Sequence, residues 1–367
     1  MKLDQYLMVM SSKSASDLYL TVGRAASYRI DGQVKGQGDA LEEQHVTALL
    51  QSMLTAEKWQ AFTQQREANF AIVQGEQRFR VSAFYQREYP AAVIRRIETK
   101  IPTFEQLQLP EILSELALAK RGLVLVVGAT GAGKSTTLAA MVGQRNQKTS
   151  GHILTVEDPI EFVHQHDNCI VTQREVGLDT HSYESALKNS LRQAPDMILI
   201  GEIRSRETMQ YALSFADTGH LCLATLHANN ANQAIERILH LVPKDRQEQL
   251  LYDLSVNLKG VVGQQLLRDS EGKGRHGVFE VLLNTPRVSD LLRRGELQEL
   301  KATMAKSEHH GMMTFDQSLF QLVQQGKISE EDALHSADSA NDLRLLLKTS
   351  RHHSAGGSMA DVKIDMD

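Results

Sequence analysis

Short apolar runs alternate with helical stretches along the middle of the chain. The runs at residues 122–127, 153–157, 197–201 and 221–225 have the length and continuous hydrophobicity of buried strands, and helical patterns fill the intervals. Strands that alternate with helices in this way are typical of an α/β domain built on a parallel sheet. The pattern therefore predicts such a domain from about Pro110 onward.

The N-terminal part of the chain has the pattern of a small α+β domain. Residues 15–22 have the pattern of a strand, and residues 70–84 that of a hairpin. Asp39, with Glu42 three residues later, predicts a capping box that opens a helix. The apolar residues of that helix recur at helical spacing, at Leu41, Val46, Leu49, Leu50, Met53 and Leu54.

After about residue 285 the sequence predicts helices, with Val288, Leu291, Leu292 and Leu297 on one face. The tail from Thr349 is rich in Ser, Gly, His and Asp, a composition that is typical of disorder. We accordingly divide the chain into an N-terminal domain, a linker, an α/β core, a helical region and a tail, at residues 1–98, 99–115, 116–285, 286–348 and 349–367.

The overall composition disfavours several classes of protein. A formal net charge of −5 gives no basic footprint for nucleic acid, so we expect no nucleic-acid partner. The two cysteines, Cys169 and Cys222, cannot supply a disulfide framework or a four-cysteine zinc site, and they suit a reducing cytosol. No run approaches the roughly 18 apolar residues of a membrane-spanning helix. We therefore expect a cytosolic protein, or one held at a membrane only by protein partners.

The clearest chemical signal lies in the loop after the first predicted strand of the core. Residues 128–135 fit the G-x-x-x-x-G-K-[ST] pattern, in which a strand and a helix N-terminus place backbone N–H groups against phosphates. Lys134 would neutralise the β- and γ-phosphate oxygens, and the Ser135 hydroxyl would hold Mg²⁺. The alternative, a glycine-rich turn with a surface lysine, is disfavoured by the flanking strand and helix. The predicted nucleotide contacts are Gly128, Ala129, Thr130, Gly131, Ala132, Gly133, Lys134, Ser135 and Thr136.

Three further predicted strands end near residues that are suited to phosphate chemistry. The first ends at Glu157, the second precedes Glu202, and the third precedes His227. The carboxyl ends of parallel strands line the ligand crevice of such a sheet. A carboxylate there can polarise an attacking water or hold the water shell of the metal, and a histidine can sense the γ-phosphate. The alternatives are an acidic turn capped by proline, an ordinary end of an apolar strand, and a structural histidine.

The arginine and histidine side chains outside these strands allow more than one interpretation of their role. Arg78 and Arg80 share one face of the N-terminal hairpin, and two more arginines at 95–96 precede the linker. Spacing alone favours a solvated basic face over fingers that complete a neighbouring subunit's site. His164 and His166 have the spacing of a metal pair, but a zinc site needs three or four ligands, so we assign them to a solvated loop.

The motifs together resemble those of the secretion ATPase superfamily. Residues 155–162 (Thr-Val-Glu-Asp-Pro-Ile-Glu-Phe) look like its aspartate box, residues 195–204 like its atypical Walker B motif, and residues 218–227 like its histidine box. All three follow the phosphate-binding loop in the family's order, and the resemblance covers nearly the whole chain. Extension ATPases and type II secretion ATPases usually carry a four-cysteine zinc motif, which this chain lacks. The resemblance is therefore to the PilT/PilU family of type IV pilus retraction ATPases.

Two stretches favour the PilU branch of this family. Residues 164–179 look closer to that branch. Where PilT proteins carry Ala-Ile-Arg-Asn-Leu-Ile-Arg-Glu, residues 287–294 here read Arg-Val-Ser-Asp-Leu-Leu-Arg-Arg. This departure puts autonomous, PilT-type retraction in doubt.

The resemblance implies a fold and a set of site residues. The fold is α/β, with a RecA-like P-loop ATPase domain, an α+β PAS-like N-terminal domain and a helical C-terminal extension. The implied chemistry is Mg²⁺-dependent hydrolysis of ATP bound between the two domains. Glu157 is then the base that orients water, Glu202 supports the metal through water, and His227 senses the γ-phosphate. Arg80 and Arg95 are then the arginine fingers, and Arg95, unlike Arg96, matches the family position.

The resemblance also implies partners and a location. It implies a ring-shaped homo-hexamer that powers pilus retraction and twitching motility, alongside a PilT-like retraction ATPase and an inner-membrane pilus platform protein. The chain would be cytoplasmic and peripheral to the inner membrane at the pilus base. The altered segment at 287–294 leaves an alternative open, in which the chain is mainly a force-transmitting assembly partner and ATP binding serves assembly. A nucleic-acid translocase on the same core is disfavoured by the near-neutral charge.

Overall fold

The chain folds into two compact units. A computed structural model describes residues 2–30, 32–75, 77–97, 100–272 and 274–354, with the side chains of 309 and 351–354 left out of the description. Unit 1 comprises Met1–Ile101, Asp158–Gln165 and Gln173–Ser182, and unit 2 comprises Pro102–Glu157, His166–Thr172 and Tyr183–Asp367. The predicted boundary at residues 98 and 99 lies outside the described residues, and the five-part domain division stays a prediction.

Unit 1 is an antiparallel sheet covered by helices. Its sheet has the order β3-β2-β1-β6-β5-β4. Its core is apolar and includes the fully buried Leu18, Phe79, Val81 and Ile94. The helices are α1 (Leu3–Ser12), α2 (Glu43–Met53) and α3 (Ala56–Gln65), and the strands are β1 (Asp17–Leu20), β2 (Ala25–Ile30), β3 (Gln33–Ala40), β4 (Glu67–Gln74), β5 (Gln77–Gln86) and β6 (Tyr89–Arg96).

The predicted hairpin and strands of unit 1 are present, but the predicted helix start is wrong. Asp39 lies in β3, whose pairing with β2 extends to Ala40, and α2 begins at Glu43 with Glu42 as its N-cap. Cross-strand pairing thus determines the conformation of Asp39, which the local capping pattern could not anticipate.

Unit 2 is built on a mixed sheet with the order β13-β12-β7-β11-β10-β8-β9. The neighbours β12, β7, β11, β10 and β8 run parallel, and β13 is antiparallel to β12. All six residues of β7 and all six of β11 are buried, as expected for strands covered on both faces. The strands are β7 (Gly122–Val127), β8 (Gly151–Glu157), β9 (Cys169–Glu175), β10 (Met197–Ile200), β11 (Leu221–Leu226), β12 (Leu258–Arg268) and β13 (Arg275–Leu283).

Helices pack on this sheet and continue past it to the C-terminus. The helices of unit 2 are α4 (Phe104–Leu107), α5 (Glu111–Leu118), α6 (Lys134–Lys148), α7 (Tyr183–Ser190), α8 (Arg206–Asp217), α9 (Ala231–His240), α10 (Gln247–Asn257), α11 (Pro286–Arg294), α12 (Leu300–Ala305), α13 (Phe315–Gln324), α14 (Glu330–Ser336) and α15 (Ala340–Ser354). The predicted parallel α/β core and helical C-terminal region are therefore confirmed, while β9, β12 and β13 were not anticipated.

The C-terminal helices have local start and stop signals. Helix α11 begins with Thr285 as N-cap and Pro286 in its first turn, and it ends at Gly295, whose φ is 70°. The predicted face at Val288, Leu291, Leu292 and Leu297 is buried. The predicted disorder from Thr349 is wrong for residues 349–354, because α15 extends to Ser354. Residues 355–367 of that predicted tail lie outside the described residues.

A buried arginine joins α6 to the chain segment that enters β7. Arg145 is 7% exposed, and its Nη1 donates hydrogen bonds to the carbonyl oxygens of Ala117 and Ala119 at 3.1 and 2.9 Å. Desolvation lowers the pKa of this guanidinium. Because the carbonyls lie at the end of α5, the arginine caps that helix and fixes the helix that carries the phosphate-binding loop.

We expect Arg145→Met to lower the free energy of unfolding by about 2–4 kcal/mol, because the variant keeps the apolar stem but leaves two carbonyls without their donor. Lys148→Met on the same helix is the matched control, because Lys148 is exposed; it is expected to change stability by less than about 0.5 kcal/mol. Denaturant unfolding measures both. Equal stability of the two variants would contradict this role of Arg145.

Candidate active site

The phosphate-binding loop connects β7 to α6, and its backbone requires glycine. Gly128 has φ 157°, and a Cβ there would lie 2.4 Å from the backbone oxygen of Gln264. Gly133 is the N-cap of α6 with φ 88°. Lys134 is buried, and its Nζ donates to the carbonyl oxygens of Gly128 and Ala129 at 2.8 and 3.0 Å. The loop therefore combines an open helix N-terminus with a lysine held across it, which suits an anionic phosphate.

The remaining predicted nucleotide residues follow the same loop. Ser135 and Thr136 lie in the first turn of α6, and both are half-buried. A hydroxyl in this position next to the loop lysine can reach a metal that bridges phosphate oxygens. The loop residues Thr130 and Gly131 are exposed, while Ala132 is buried.

Sequence reasoning missed Gln264, which supports the loop from behind. Gln264 lies in β12 and is 3% exposed. The Thr137 Oγ1 hydroxyl donates to its Oε1 at 2.8 Å. A Cβ at Gly133 would lie 2.9 Å from its Nε2. Its contacts are about 130 residues away in sequence, so no local pattern could reveal them.

Two cavities lie beside the loop. One of about 480 Å³ is lined by Thr136, Gln264, Arg275 and residues 106–109. The other, of about 290 Å³, is lined by residues 129–132 together with Gln264 and Arg275. Both fall close to the size range of small-molecule sites. Arg275 lines both cavities and is a second residue that no sequence pattern indicated.

Two predicted acids lie at the carboxyl edge of the parallel sheet. Glu157 ends β8, and the Thr155 hydroxyl donates to its Oε1 at 2.6 Å. Glu202 follows β10 after Gly201, whose N–H donates to the carbonyl of Val156 at 2.8 Å. A Cβ at Gly201 would lie 3.1 Å from the Cα of Glu157, so glycine permits this close approach. The structure therefore brings the chain segments of the two acids together.

The predicted histidine contacts one of these acids directly. His227 follows β11, and its Nε2 lies 3.1 Å from Oε1 of Glu202. The other oxygen, Oε2, pairs with Arg204 Nη2 at 2.6 Å. The Thr225 hydroxyl donates to the carbonyl of Gly201, which ties the end of β11 to the end of β10. Glu202 therefore lies between the guanidinium of Arg204 and the imidazole of His227.

The predicted arginines are paired with carboxylates of unit 1. Arg80 and Arg95 are opposite each other on β5 and β6. Arg80 Nε lies 3.7 Å from Oε1 of Glu175, and desolvation lowers the pKa of this guanidinium. Arg95 Nε donates to Asp17 Oδ1 at 2.8 Å, and this hydrogen bond raises the pKa of Arg95. The two candidate arginines therefore differ. The Arg80 side chain is more buried than that of Arg95, and its ion pair with a carboxylate is longer.

The structure corrects two predictions for the basic and histidine side chains. Arg78 and Arg80 are not a solvated face, because their side chains are only 25% and 23% exposed and both face Glu175. His164 is not in a solvated loop, because it is 8% exposed, and burial lowers its pKa to about 4. His166 is exposed as predicted, and its Nδ1 accepts from the N–H of Val171 at 3.1 Å. Among the described residues, no three histidine, cysteine or acidic side chains form a metal-binding group.

In the part of the chain that the structure describes, we find no helix whose length and hydrophobicity would let it cross a membrane.

Comparison with known proteins gives extended matches. Residues 2–335 match the type II/IV secretion system protein family. The chain is 57% identical over 357 residues to the type IV pilus ATPase PilU of Pseudomonas aeruginosa, a match that covers 97% of this chain and 94% of that protein. It is 39% identical to the type IV pilus retraction ATPase PilT of the same organism, covering 92% and 98%.

Solved structures agree with the sequence matches. The crystal structure of the pilus retraction motor PilT with bound ADP superposes with a TM-score of 0.88 at 38% identity, covering 94% of this chain and 99% of that chain. The ATPase DotB of Legionella pneumophila superposes with a TM-score of 0.73 at 24% identity, covering 90% and 94%, which supports the fold alone. The expected α/β ATPase fold is therefore confirmed. The chain belongs to the type II/IV secretion system protein family and, within it, to the PilT/PilU type IV pilus retraction ATPases.

Proposed function

We propose that the chain hydrolyses ATP with Mg²⁺ as a hexameric motor component and serves pilus retraction as a PilU-type accessory to a PilT motor. The observation that carries the proposal is the single sheet edge that holds the phosphate-binding loop, Glu157, Glu202 and His227. The 57% identity to PilU over nearly the full chain favours the accessory role over the PilT role.

The binding of ATP is proposed to begin with the phosphates. The backbone N–H groups of the glycine loop and the start of α6 bind the phosphate oxygens, and Lys134 exchanges its carbonyl partners for the β- and γ-phosphates. The nucleoside then occupies the cavity of about 480 Å³ next to Thr136. Arg275 and the segment 106–109 line that cavity and would contact the base or ribose.

The side chains present fit a magnesium ion. The hard oxygens of the Ser135 hydroxyl and of a carboxylate are ligands that Mg²⁺ accepts, and it usually keeps several waters. Ser135 would therefore bind it directly, and Glu202 would hold it through water. When bound, Mg²⁺ neutralises charge on the phosphate oxygens.

Glu157 is proposed as the base that orients the attacking water. The Thr155 hydroxyl donates to Oε1 of Glu157, which restrains the rotamer of the carboxylate at the carboxyl edge of the sheet. His227 contacts Glu202, so a change at the γ-phosphate that moves Glu202 also changes the environment of His227. This pair would report the nucleotide state to the segment that follows β11.

Arg80 and Arg95 are proposed as fingers that unit 1 contributes to a nucleotide site of the ring. Arg80 supports this role because desolvation lowers the pKa of its guanidinium, and its buried Nε, like that of Arg78, makes no hydrogen bond within the described residues. A desolvated guanidinium gains more from an anionic phosphate than a hydrated one does. Sequential closure around a ring would then convert hydrolysis into a mechanical stroke.

The proposed partners are further copies of this chain in a homo-hexamer, a PilT-like retraction ATPase and an inner-membrane platform protein. The proposed location is cytoplasmic, peripheral to the inner membrane at the pilus base. An alternative is that the chain mainly transmits force within an assembly and binds ATP for assembly alone. This alternative is supported by residues 287–294, which form most of α11 and depart from the PilT motif.

We expect Lys134→Ala to abolish ATP hydrolysis through lost phosphate binding, and Glu157→Gln to lower kcat about 100-fold or more while ATP still binds. Lys148→Ala and Glu184→Gln are matched controls at exposed positions on α6 and α7. A steady-state ATPase assay combined with nucleotide-binding measurements tests both variants. Turnover like that of the wild type in either would refute the assigned role.

We expect Arg80→Gln to lower kcat about 100-fold or more without a matching loss of thermal stability, because a finger acts on the transition state. Arg78→Gln is the matched control, because Arg78 lies two residues away on the same face and faces the same Glu175. ATPase assays on the assembled protein measure both. If the two variants lose activity equally, the finger assignment to Arg80 fails.

We expect no pilus retraction by this protein in cells that lack the PilT motor, and normal augmentation of retraction when PilT is present. Fluorescent labelling of pili measures retraction in both backgrounds. Robust retraction without PilT would refute the accessory role. The Glu157→Gln variant separates the alternative, since wild-type retraction by this variant beside PilT would show that hydrolysis is dispensable.

A further inference from the structure

A buried carboxylate contacts the helix that follows His227. Glu280 lies in β13 and is 1% exposed. Its Oε1 accepts a hydrogen bond from the N–H of Ala231 at 2.7 Å. Ala231 is the first residue of α9, and only residues 228–230 separate it from His227. The carboxylate therefore contacts the backbone at the point where the histidine segment becomes a helix.

The first turn of α9 is held by two further contacts. Asn230 is the N-cap and accepts from the N–H of Gln233 at 2.9 Å. The Asn232 Nδ2 group donates to the carbonyl of Leu297 at 2.9 Å. The Ala231 N–H lies at the first position of the helix, where the N-cap side chain does not reach it. Glu280 accepts its hydrogen bond instead. The start of α9 is therefore fixed to β13 as well as to the C-terminal helical region.

Other charged groups lie near Glu280 on the neighbouring C-terminal elements. Lys301 on α12 pairs with Asp316 on α13 at 3.4 Å and with Asp338, just before α15, at 3.1 Å. The pKa of Glu280 is raised to about 7, chiefly by burial; Asp338 and Asp316 also raise it, while the Ala231 N–H and Lys301 lower it. Glu280 is therefore protonated in mildly acidic solution and ionises near neutrality.

We propose that Glu280 is a positioning residue for ATP hydrolysis, which fixes the start of α9 so that His227 stays in contact with Glu202. Glu280 touches neither of these side chains and acts through the backbone of Ala231. The inference rests on the proposed roles of His227 and Glu202. It adds Glu280 to the site, a residue that lies 53 positions after His227 in the sequence.

The sign of the pH effect follows from the direction of the pKa shift. The fixed arrangement favours protonated Glu280, because its pKa is raised there relative to a solvated carboxyl. The Ala231 N–H by itself favours the ionised carboxylate, but burial of the charge outweighs it. The stability of the buried arrangement as a whole is therefore complete below the pKa of a solvated carboxyl and is lost as the pH rises to and through about 7. A glutamine keeps an acceptor for the Ala231 N–H but cannot ionise, so it removes this loss.

The test compares kcat and KM for ATP in four assembled full-length variants. We expect Glu280→Ala to lower kcat about tenfold while KM changes less than about threefold, because the phosphate-binding loop is untouched. Ala231→Pro removes the N–H donor at a helix position where proline is favoured, and it is expected to have the same effect. The double variant should be no worse than either single variant. Ala231→Gly keeps the donor and should stay within about twofold of wild type.

The pH profile of Glu280→Gln provides a measurement that a purely structural role would not affect. We expect its kcat to match that of the wild type at pH 6 within about twofold. The ratio of variant to wild-type kcat should then rise between pH 6 and pH 8, by at least about twofold and at most about tenfold. A flat ratio would overturn the pH dependence.

Thermal unfolding and the wild-type control separate the possible failures. Wild-type kcat in both folded Glu280→Ala and folded Ala231→Pro would overturn the positioning role, as would additive losses in the double variant. If Glu280→Ala does not fold, Ala231→Pro and Glu280→Gln still decide the question. An inactive wild type, or a fully active His227→Ala variant, would instead contradict the proposed function itself.

Discussion

The parallel pairing of β7, β11, β10 and β8 is the constraint on which the candidate site depends. Ile200 is level with Val156 on one side and with Ala224 on the other, and Leu226 is level with Val127. The four strands therefore end in one row, and the residues that follow them meet there. A slip of one residue in any pair would turn every side chain of the slipped strand to the opposite face of the sheet.

Charge pairing within each unit is a second property of the candidate residues. Lys134 is bonded to carbonyls of its own loop and Glu202 to Arg204 and His227, while Arg80 forms an ion pair with Glu175. With the proposed roles, a nucleotide phosphate would replace existing partners instead of meeting free charges. Such exchange makes binding energy depend on conformation, because each group that leaves a partner changes the segment on which the partner lies.

The sequence predicted the parts of the structure that depend on neighbouring residues. The loop at 128–135 and the four apolar runs are local patterns, and the matching strands and loop are present. The start of α2, the burial of His164 and the roles of Gln264 and Glu280 depend on contacts between distant segments. Strands β12 and β13 escaped prediction for the same reason, since their partly polar pattern gains its burial from β7, from the core beneath the sheet and from the C-terminal helices.

The hairpin of β12 and β13 connects the locally predicted phosphate-binding loop to contacts between distant segments. Gln264 on β12 packs against the phosphate-binding loop. On the paired strand β13, Glu280 is level with Gly263, the residue that precedes Gln264. One rigid pair of strands thus contacts both the loop and the start of α9. The Phe279 N–H of β13 also donates to the Ser318 hydroxyl of α13 at 3.1 Å, and Lys301 on α12 pairs with Asp316 on α13 and with Asp338 before α15. The C-terminal helices are therefore connected to the phosphate-binding loop through this hairpin, which is a route by which the proposed nucleotide-dependent movement would reach them.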